Sequence, residues 1–180
     1  MVTITRLFTQ ARFQTRVMLT LVFIVTLQAI VSGSFTLHYI EVVLEERIGE
    51  QALQLSRVIS TLPQIRQGLV KRDAKQIQAF AEAIRLETDA RFIVVGDLDG
   101  IRFSHPIVER IGKKRVGGDN QRAIENGESY VSKAVGSLGP SMRGKSPIFD
   151  SNGNIIGVTS VGYMLDSIDD RVSGYQNSVI

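Results

Sequence analysis

Residues 142–164 read MRGKSPIFDSNGNIIGVTSVGYM, and this stretch indicates two β-strands joined by a tight turn. The first arm, MRGKSPIF, ends in apolar residues, and the second, IIGVTSVGYM, is rich in β-branched residues that favour strands. Between them, DSNGN consists of residues that favour turns. Strands joined so closely must pair in antiparallel fashion. The stretch therefore predicts the hairpin of an antiparallel sheet.

Three further stretches of strand character precede this hairpin. They are RFIVVG at residues 91–96, IRFSH at 101–105 after a DLDG turn, and SYVSKAV at 129–135 before a GSLGPS loop. The polar, glycine-rich segment before SYVSKAV leaves room for a short helix after Asp119. Together the five stretches predict a sheet of about five antiparallel strands, opened by a hairpin of RFIVVG and IRFSH.

Helical patterns come before the strands. Residues 41–62 have a broad apolar face, and Pro63 interrupts the pattern. Asp73 is the predicted N-cap of a second, amphipathic helix that ends near Thr88. The apolar face of this second helix, expected to cover one side of the sheet, holds Ile77, Phe80, Ile84 and Leu86. Helices followed by antiparallel strands predict an α+β fold.

An apolar run of twenty-four residues, 17–40, contains no Asp, Glu, Lys or Arg. As a helix rising about 1.5 Å per residue, it is long enough to cross a hydrocarbon core of about 30 Å. A cleaved signal peptide has a shorter apolar region of about 7–15 residues, so we predict a retained transmembrane helix. Arg6, Arg12 and Arg16 precede the run, and basic residues favour the cytoplasmic side.

This orientation predicts four parts of the chain. They are a cytoplasmic basic tail at 1–16, a transmembrane helix at 17–40, an extracytoplasmic domain at 41–165, and an exit helix at 166–180 that leads towards a second transmembrane segment. The exit helix is predicted from the helical spacing of Leu165, Ile168 and Val172.

The charge of the chain is concentrated at one end. There are 21 Lys plus Arg against 18 Asp plus Glu, a net charge of +3, and the whole excess lies before Val17. Because a nucleic-acid surface needs a basic face on the folded domain, we predict no nucleic-acid partner. The absence of cysteine excludes disulfides and thiolate metal sites. No phosphate-binding loop or hydrolase motif is present, so we expect no catalytic residue, metal site or cofactor in this chain.

Arg143 and Lys145 are two residues apart on a predicted strand and therefore share one face. Gly144 between them allows the backbone to approach a neighbour closely. Two cations on one strand face either meet water or bind anions, and spacing alone leaves both possibilities open. Ser137 in GSLGP and Ser160 in VTSVG add hydroxyl donors nearby in the predicted sheet.

Arg102 and His105 are three residues apart in IRFSHP. On a regular strand they would point to opposite faces, so both reach one site only if the strand ends or bends at Ser104. Pro106 provides a reason for the strand to stop there. Taken alone, His105 fits a structural role as well as a binding one.

The ordered motifs R-x-x-H-P, GSLG, R-G-K-[ST]-P-I and S-V-G-Y carry a family resemblance. With their surroundings, they closely resemble the extracytoplasmic sensor domain of the citrate and C4-dicarboxylate family of bacterial sensor histidine kinases. The resemblance covers residues 41–172 and implies a PAS-like domain, with a long N-terminal helix continuous with the transmembrane helix. It also implies a homodimer, a cytoplasmic response regulator as partner, and a kinase domain with its ATP and Mg beyond residue 180.

The resemblance further implies which residues bind the ligand. Arg102 and His105 would hold carboxylate groups, and Arg143 and Lys145 would form the basic pair on the next strand. The complete implied set of ligand-binding residues is Arg102, His105, Ser137, Leu138, Arg143, Lys145 and Ser160. A protonated His105 is the better carboxylate partner, so affinity is expected to fall as the pH rises above neutrality.

The residue at position 145 bears on which carboxylate is bound. In the C4-dicarboxylate sensors of this family the place of Lys145 is commonly aromatic, whereas the citrate sensors resemble this chain. The resemblance therefore favours citrate or another tricarboxylate over malate, fumarate or succinate. Some citrate sensors carry a hydroxyl residue at the place of Val94, which weakens that preference. Two rival interpretations are the same module feeding a chemoreceptor, and an enzyme acting on a carboxylate, which would lack an identifiable nucleophile.

Overall fold

A computed structural model describes residues 13–115, 118–136 and 138–165 of the chain. The first twelve residues, Ser137 and the predicted exit helix at 166–180 lie outside the described residues. The chain divides into two units, Met1–Val43 and Leu44–Ile180, which are described in turn.

The first unit consists of the beginning of helix α1, which spans Phe13–Thr61. Its segment Phe13–Thr36 is long and apolar enough to cross a membrane, and its side chains are exposed. This segment begins four residues before the predicted span of 17–40. The hydroxyls of Thr20 and Thr26 donate to backbone carbonyls one turn earlier, at 2.9 and 2.8 Å. Such bonds satisfy polar side chains inside the helix itself, as a span in lipid requires.

The second unit begins with three helical segments, because α1 continues to Thr61 before a break at the expected proline. Helix α2 is Pro63–Val70, with the proline in its first turn, and α3 is Ala74–Glu87. The side chain of Asp73 accepts a hydrogen bond from the amide of Gln76 at 3.0 Å, which confirms the predicted N-cap.

The buried face of α3 differs from the predicted one. Ile77 and Ala81 are buried, whereas Phe80 is 39% exposed and Leu86 is 69% exposed. Residues four apart lie on the same side of a helix, so Ile77 and Ala81 form the stripe that meets the sheet. Phe80 and Leu86 lie off that stripe, and the prediction was wrong for both.

The sheet contains four antiparallel strands, in the order β1-β4-β3-β2. Strand β1 is Phe92–Asp97, β2 is Tyr130–Gly136, β3 is Gly139–Phe149 and β4 is Ile155–Met164. A 3-10 turn at Val108–Arg110 and helix α4, Gln121–Glu125, lie in the connection between β1 and β2. Helix α4 confirms the short helix expected after Asp119, and the α+β class is confirmed.

The predicted fifth strand at 101–105 makes only isolated bridges beside β1. The reason lies at Ser104, whose hydroxyl makes two hydrogen bonds to the backbone of β1. Its Oγ accepts from the amide of Val95 at 2.8 Å and donates to the carbonyl of Ile93 at 3.1 Å. These side-chain bonds occupy backbone groups that a continuing ladder would need, so the expected number of strands was too high by one.

The two faces of the sheet have different neighbours. One face packs on the helices of the second unit, and its core includes Ile59, Ile77, Ile93, Val95 and Val161. At Gly144 the strand approaches the helix so closely that an added Cβ would overlap the backbone of Ala52 and Leu53. The other face is covered by the segment between β1 and β2, and a cavity lies there.

Candidate functional site

The cavity on this second face comprises about 470 Å³ of empty space, which includes open solvent. Six of the seven predicted ligand-binding residues line it: Arg102, His105, Leu138, Arg143, Lys145 and Ser160. The seventh, Ser137, lies outside the described residues. The remaining lining residues are Phe92, Val94, Arg115, Asp119, Asn120, Gly136, Gly139 and Ser141.

Strand register explains why distant residues meet at this cavity. Lys145 of β3 lies opposite Ser160 of β4, which in turn lies opposite Val94 of β1. Residues directly opposite on antiparallel strands share a face, so these three side chains form one row across the sheet. Val94 therefore stands beside Ser160, where a hydroxyl side chain would have added a donor.

Arg143 belongs to the neighbouring row and is held from several sides. Its Nε donates to Ser141 Oγ at 2.8 Å, and one terminal nitrogen donates to the carbonyl of Ala134 at 3.0 Å. The guanidinium carbon lies 5.8 Å from the centre of the Phe92 ring, within the range of a cation–π contact. A Cβ at Gly136 would overlap this guanidinium, so the glycine makes room for it.

Lys145 is the one lysine among the described lining residues, and 2% of the residue is exposed. Its Nζ lies 2.9 Å from Asp119 Oδ1 and donates to Asn120 Oδ1 at 2.6 Å. Burial lowers the pKa of Lys145 to about 8, although the charge of Asp119 acts in the opposite direction. The ammonium is thus charged at neutral pH and partly desolvated.

The chain bends at Ser104, as is required for Arg102 and His105 to reach one site. The chain leaves the edge of β1 after the bonds made by Ser104, and both residues are buried beside the cavity. Helix α3 fixes the bend, because Gln78 Oε1 accepts from the amide of His105 at 2.9 Å and its Nε2 donates to the carbonyl of His105 at 3.2 Å. Burial lowers the pKa of Arg102, and the charge of Arg110 lowers it further.

The structure places His105 where burial favours its neutral form, contrary to the expectation of a protonated ring near neutrality. Burial, followed by the charges of Arg102 and Arg110, lowers the pKa of His105 to about 4. Its Nδ1 lies 2.9 Å from the amide nitrogen and 3.2 Å from the carbonyl oxygen of Ile107, so it accepts or donates there according to the tautomer. Either neutral tautomer carries one N–H donor.

Arg115 and Asp119 were missed as site residues. Arg115 donates to the carbonyls of Asp97 at 3.1 Å and Val158 at 3.4 Å, and burial lowers its pKa to about 10. In the sequence, Arg115 ends the basic run KKR, which is also typical of a solvated surface. For Asp119, the sequence predicts only that a short helix follows it.

Asp119 is the one acidic side chain among the described lining residues. It shares the cavity with four basic residues, Arg102, Arg115, Arg143 and Lys145. Burial alone would raise the pKa of Asp119, but the charge of Lys145 and hydrogen bonds from Lys145 and Ser132 outweigh it and lower the pKa. The cavity thus combines an excess of positive charge with neutral donors, a combination suited to an anion with several carboxylates.

Comparisons with known proteins identify the family of this chain. The family model described as single Cache domain 3 matches residues 39–177. The chain is 56% identical over 126 residues to sensor protein CitS of Halalkalibacterium halodurans, covering 69% of this chain and 23% of that protein. It is 38% identical over 170 residues to sensor histidine kinase CitA of Klebsiella pneumoniae, covering 94% of this chain and 31% of that protein.

A solved structure shows the same fold. The sensor domain of DcuS from Escherichia coli superposes with a TM-score of 0.65 at 36% identity, over 72% of this chain and 97% of that domain. The chain spans about a quarter to a third of the length of the two sensor proteins. Because the family model matches most of the chain and the fold agrees with a solved relative, the chain belongs to the single Cache domain family.

Proposed function

We propose that this chain is the extracytoplasmic sensing part of a two-component sensor histidine kinase, and that its cavity binds citrate or a related tri- or dicarboxylate. One observation carries the proposal: Arg102, Arg143 and Lys145 are each at least nine-tenths buried and line one cavity with a single acid. Buried charges are costly unless they are paired, so such a cluster favours an anionic ligand.

A tricarboxylate fits the number and arrangement of the cations best. Arg102 and His105 lie at the bend beside β1, and Arg143 and Lys145 lie on β3, so carboxylates of one ligand can reach both groups. Lys145 supplies the additional charge for a third carboxylate. The alternative within this proposal is malate, fumarate or succinate, and Val94 in place of a hydroxyl residue favours that alternative.

Ligand binding would be passed on through the sheet. A bound carboxylate draws β3, the bend at Arg102 and the loop with Leu138 together, and β4 shares its ladder with both β1 and β3. A shift of β4 relative to α1 would bias the two membrane segments between two positions. Such coupling between sites is typically worth about 1–3 kcal/mol. The kinase domain, its ATP and Mg, the homodimer and the response regulator belong to this same proposal.

Calorimetry tests the ligand. We expect the 180-residue chain in detergent micelles to bind citrate, with isocitrate, malate, succinate and fumarate as the comparison panel. Arg143→Gln should abolish or strongly weaken binding, whereas Arg122→Gln, at an exposed salt bridge outside the cavity, should not. Mass analysis of the recovered citrate should show it unchanged, as a binding module requires. No binding of any panel member, or wild-type affinity in Arg143→Gln, would contradict the proposal.

The alternative output is a chemoreceptor that uses the same sensing module. The ligand-binding measurements would be the same for both outputs, because the cavity is the same. The sequence that follows residue 180 in the full-length protein distinguishes them. A histidine kinase domain there, with ligand-dependent autophosphorylation in membranes, is the expected result.

A further inference from the structure

Asp119 forms ion pairs with the cations that would bind the proposed ligand. Its Oδ1 lies 2.9 Å from Lys145 Nζ, and its Oδ2 lies 3.4 Å from a terminal nitrogen of Arg143. The side-chain oxygen of Asn120 accepts from the same Lys145 at 2.6 Å. An aspartate and its neighbouring amide therefore make the contacts that a ligand carboxylate would make.

Strand β2 holds this aspartate in place. The hydroxyl of Ser132 donates to Asp119 Oδ2 at 2.8 Å, and the hydroxyl of Tyr130 donates to the backbone carbonyl of Asp119. Both residues lie on β2 directly opposite the two cations, Tyr130 opposite Lys145 and Ser132 opposite Arg143. The contacts are thus built into the register of the sheet.

The three side chains of these ion pairs differ in their exposure to solvent. The side chain of Asp119 is 21% exposed, whereas the side chains of Lys145 and Arg143 are 3% and 7% exposed. The cations would remain buried and unpaired if Asp119 left alone, which is strongly unfavourable. An incoming carboxylate removes that cost, because it replaces one negative partner by another.

We propose that Asp119 is a resident carboxylate that competes with the ligand, and that a ligand carboxylate displaces it from Lys145 and Arg143. This inference rests on the proposed function of the cavity. This competition makes Asp119 a specificity-determining residue. A weakly charged ligand cannot replace Asp119 at Lys145 and Arg143 and also bind Arg102. The competition also makes the segment around residues 118–120 respond to binding.

Neutralising the aspartate tests the competition. In calorimetry on the 180-residue chain in micelles, Asp119→Asn and Asp119→Ala should each bind citrate about tenfold more tightly than wild type, equivalent to about 1.4 kcal/mol. The matched control is Glu125→Gln, which removes one negative charge at an exposed position of α4 and should leave the affinity within about twofold. Unchanged or weaker citrate binding in both Asp119 variants would overturn the inference.

Hydrogen exchange tests the displacement itself. A variant can bind more tightly merely because one negative charge has gone, whereas displacement also moves the segment. Citrate should therefore speed amide exchange in the wild-type peptide that covers residues 118–122, while β3 becomes more protected. Tighter binding in the variants with unchanged exchange in that peptide would show a static charge effect and overturn the inference.

The outcomes separate this inference from the proposed function. If wild type binds citrate and the Asp119 variants bind no better, the inference fails and the carboxylate site stands. If neither binds any member of the panel, the proposed function fails and the inference fails with it.

Discussion

Lys145 is the residue on which the choice between a tricarboxylate and a dicarboxylate depends. We predict that Lys145→Met weakens citrate binding by about ten- to a hundredfold, because a hydrogen bond to a charged group contributes about 1.5–3 kcal/mol. Succinate binding should weaken much less, since two carboxylates can still use Arg102 and Arg143. Calorimetry with both ligands on one preparation gives the ratio. Equal losses for citrate and succinate would contradict a dedicated role in holding a third carboxylate.

Above pH 7, the pH dependence of binding should follow Lys145. Burial lowers the pKa of Lys145 to about 8, and a bound carboxylate favours its protonated form. The affinity for a fully ionised carboxylate should therefore be level from pH 7 to about pH 8 and fall as the pH rises further. Burial also lowers the pKa of His105 to about 4, so this side chain is neutral in that range before a ligand binds.

Arginine at position 145 provides the control for this pH dependence. Lys145→Arg keeps the charge at all accessible pH values, so its affinity should stay level from pH 7 to 9.5. The measurement is calorimetry with a carboxylate that is fully ionised throughout that range. A fall above pH 8 that persists in Lys145→Arg would assign the titration to another group.

Strand β3 connects the cavity to helix α1, because its alternate residues point to opposite faces. Arg143 and Lys145 face the cavity, whereas Gly144 meets the backbone of α1 and Ser146 Oγ is 2.8 Å from Ser56 Oγ. A shift of β3 would therefore be transmitted directly to α1. This contact has no flexible side chain to absorb a shift.

Adding one methyl group at this contact tests its importance. Gly144→Ala should destabilise the domain by about 1–3 kcal/mol, the usual cost of overpacking, because the new Cβ would overlap the backbone of Ala52 and Leu53. Gly118→Ala is the control, since no atom lies within 4 Å of its added Cβ. Urea unfolding followed by circular dichroism measures both. Equal midpoints for the two variants would show that α1 and β3 separate at little cost.

The whole molecule is predicted to place its sheet domain outside the membrane and its basic tail inside. The chain contains no cysteine, so single engineered cysteines report their location without background. Asn152→Cys, in the exposed turn between β3 and β4, should react with a membrane-impermeant maleimide in intact cells. Thr9→Cys, in the basic tail, should react only after permeabilisation. The reverse pattern would show that the predicted orientation is wrong.

Much of the fold could be predicted from local patterns. Pro63 and Asp73 marked helix boundaries because a proline lacks an amide hydrogen and an aspartate caps a helix within a few residues. The strand at 101–105 was overpredicted, because the hydroxyl of Ser104 bonds to the amide of Val95 and the carbonyl of Ile93, which a continuing ladder would need. Bonds of that kind depend on a partner distant in sequence, which no local pattern shows.

Spacing, composition and motifs predict the apolar span, most of the helices and strands, and three cations of the site, Arg102, Arg143 and Lys145, but they miss Arg115. The surroundings of those cations follow only from the folded chain. Strand register placed Asp119 against Lys145 and Arg143, and burial lowered the pKa of His105 to about 4. Desolvation and ion pairing arise between residues brought together by folding, so the charge state and occupancy of the cavity could be derived only from the folded chain.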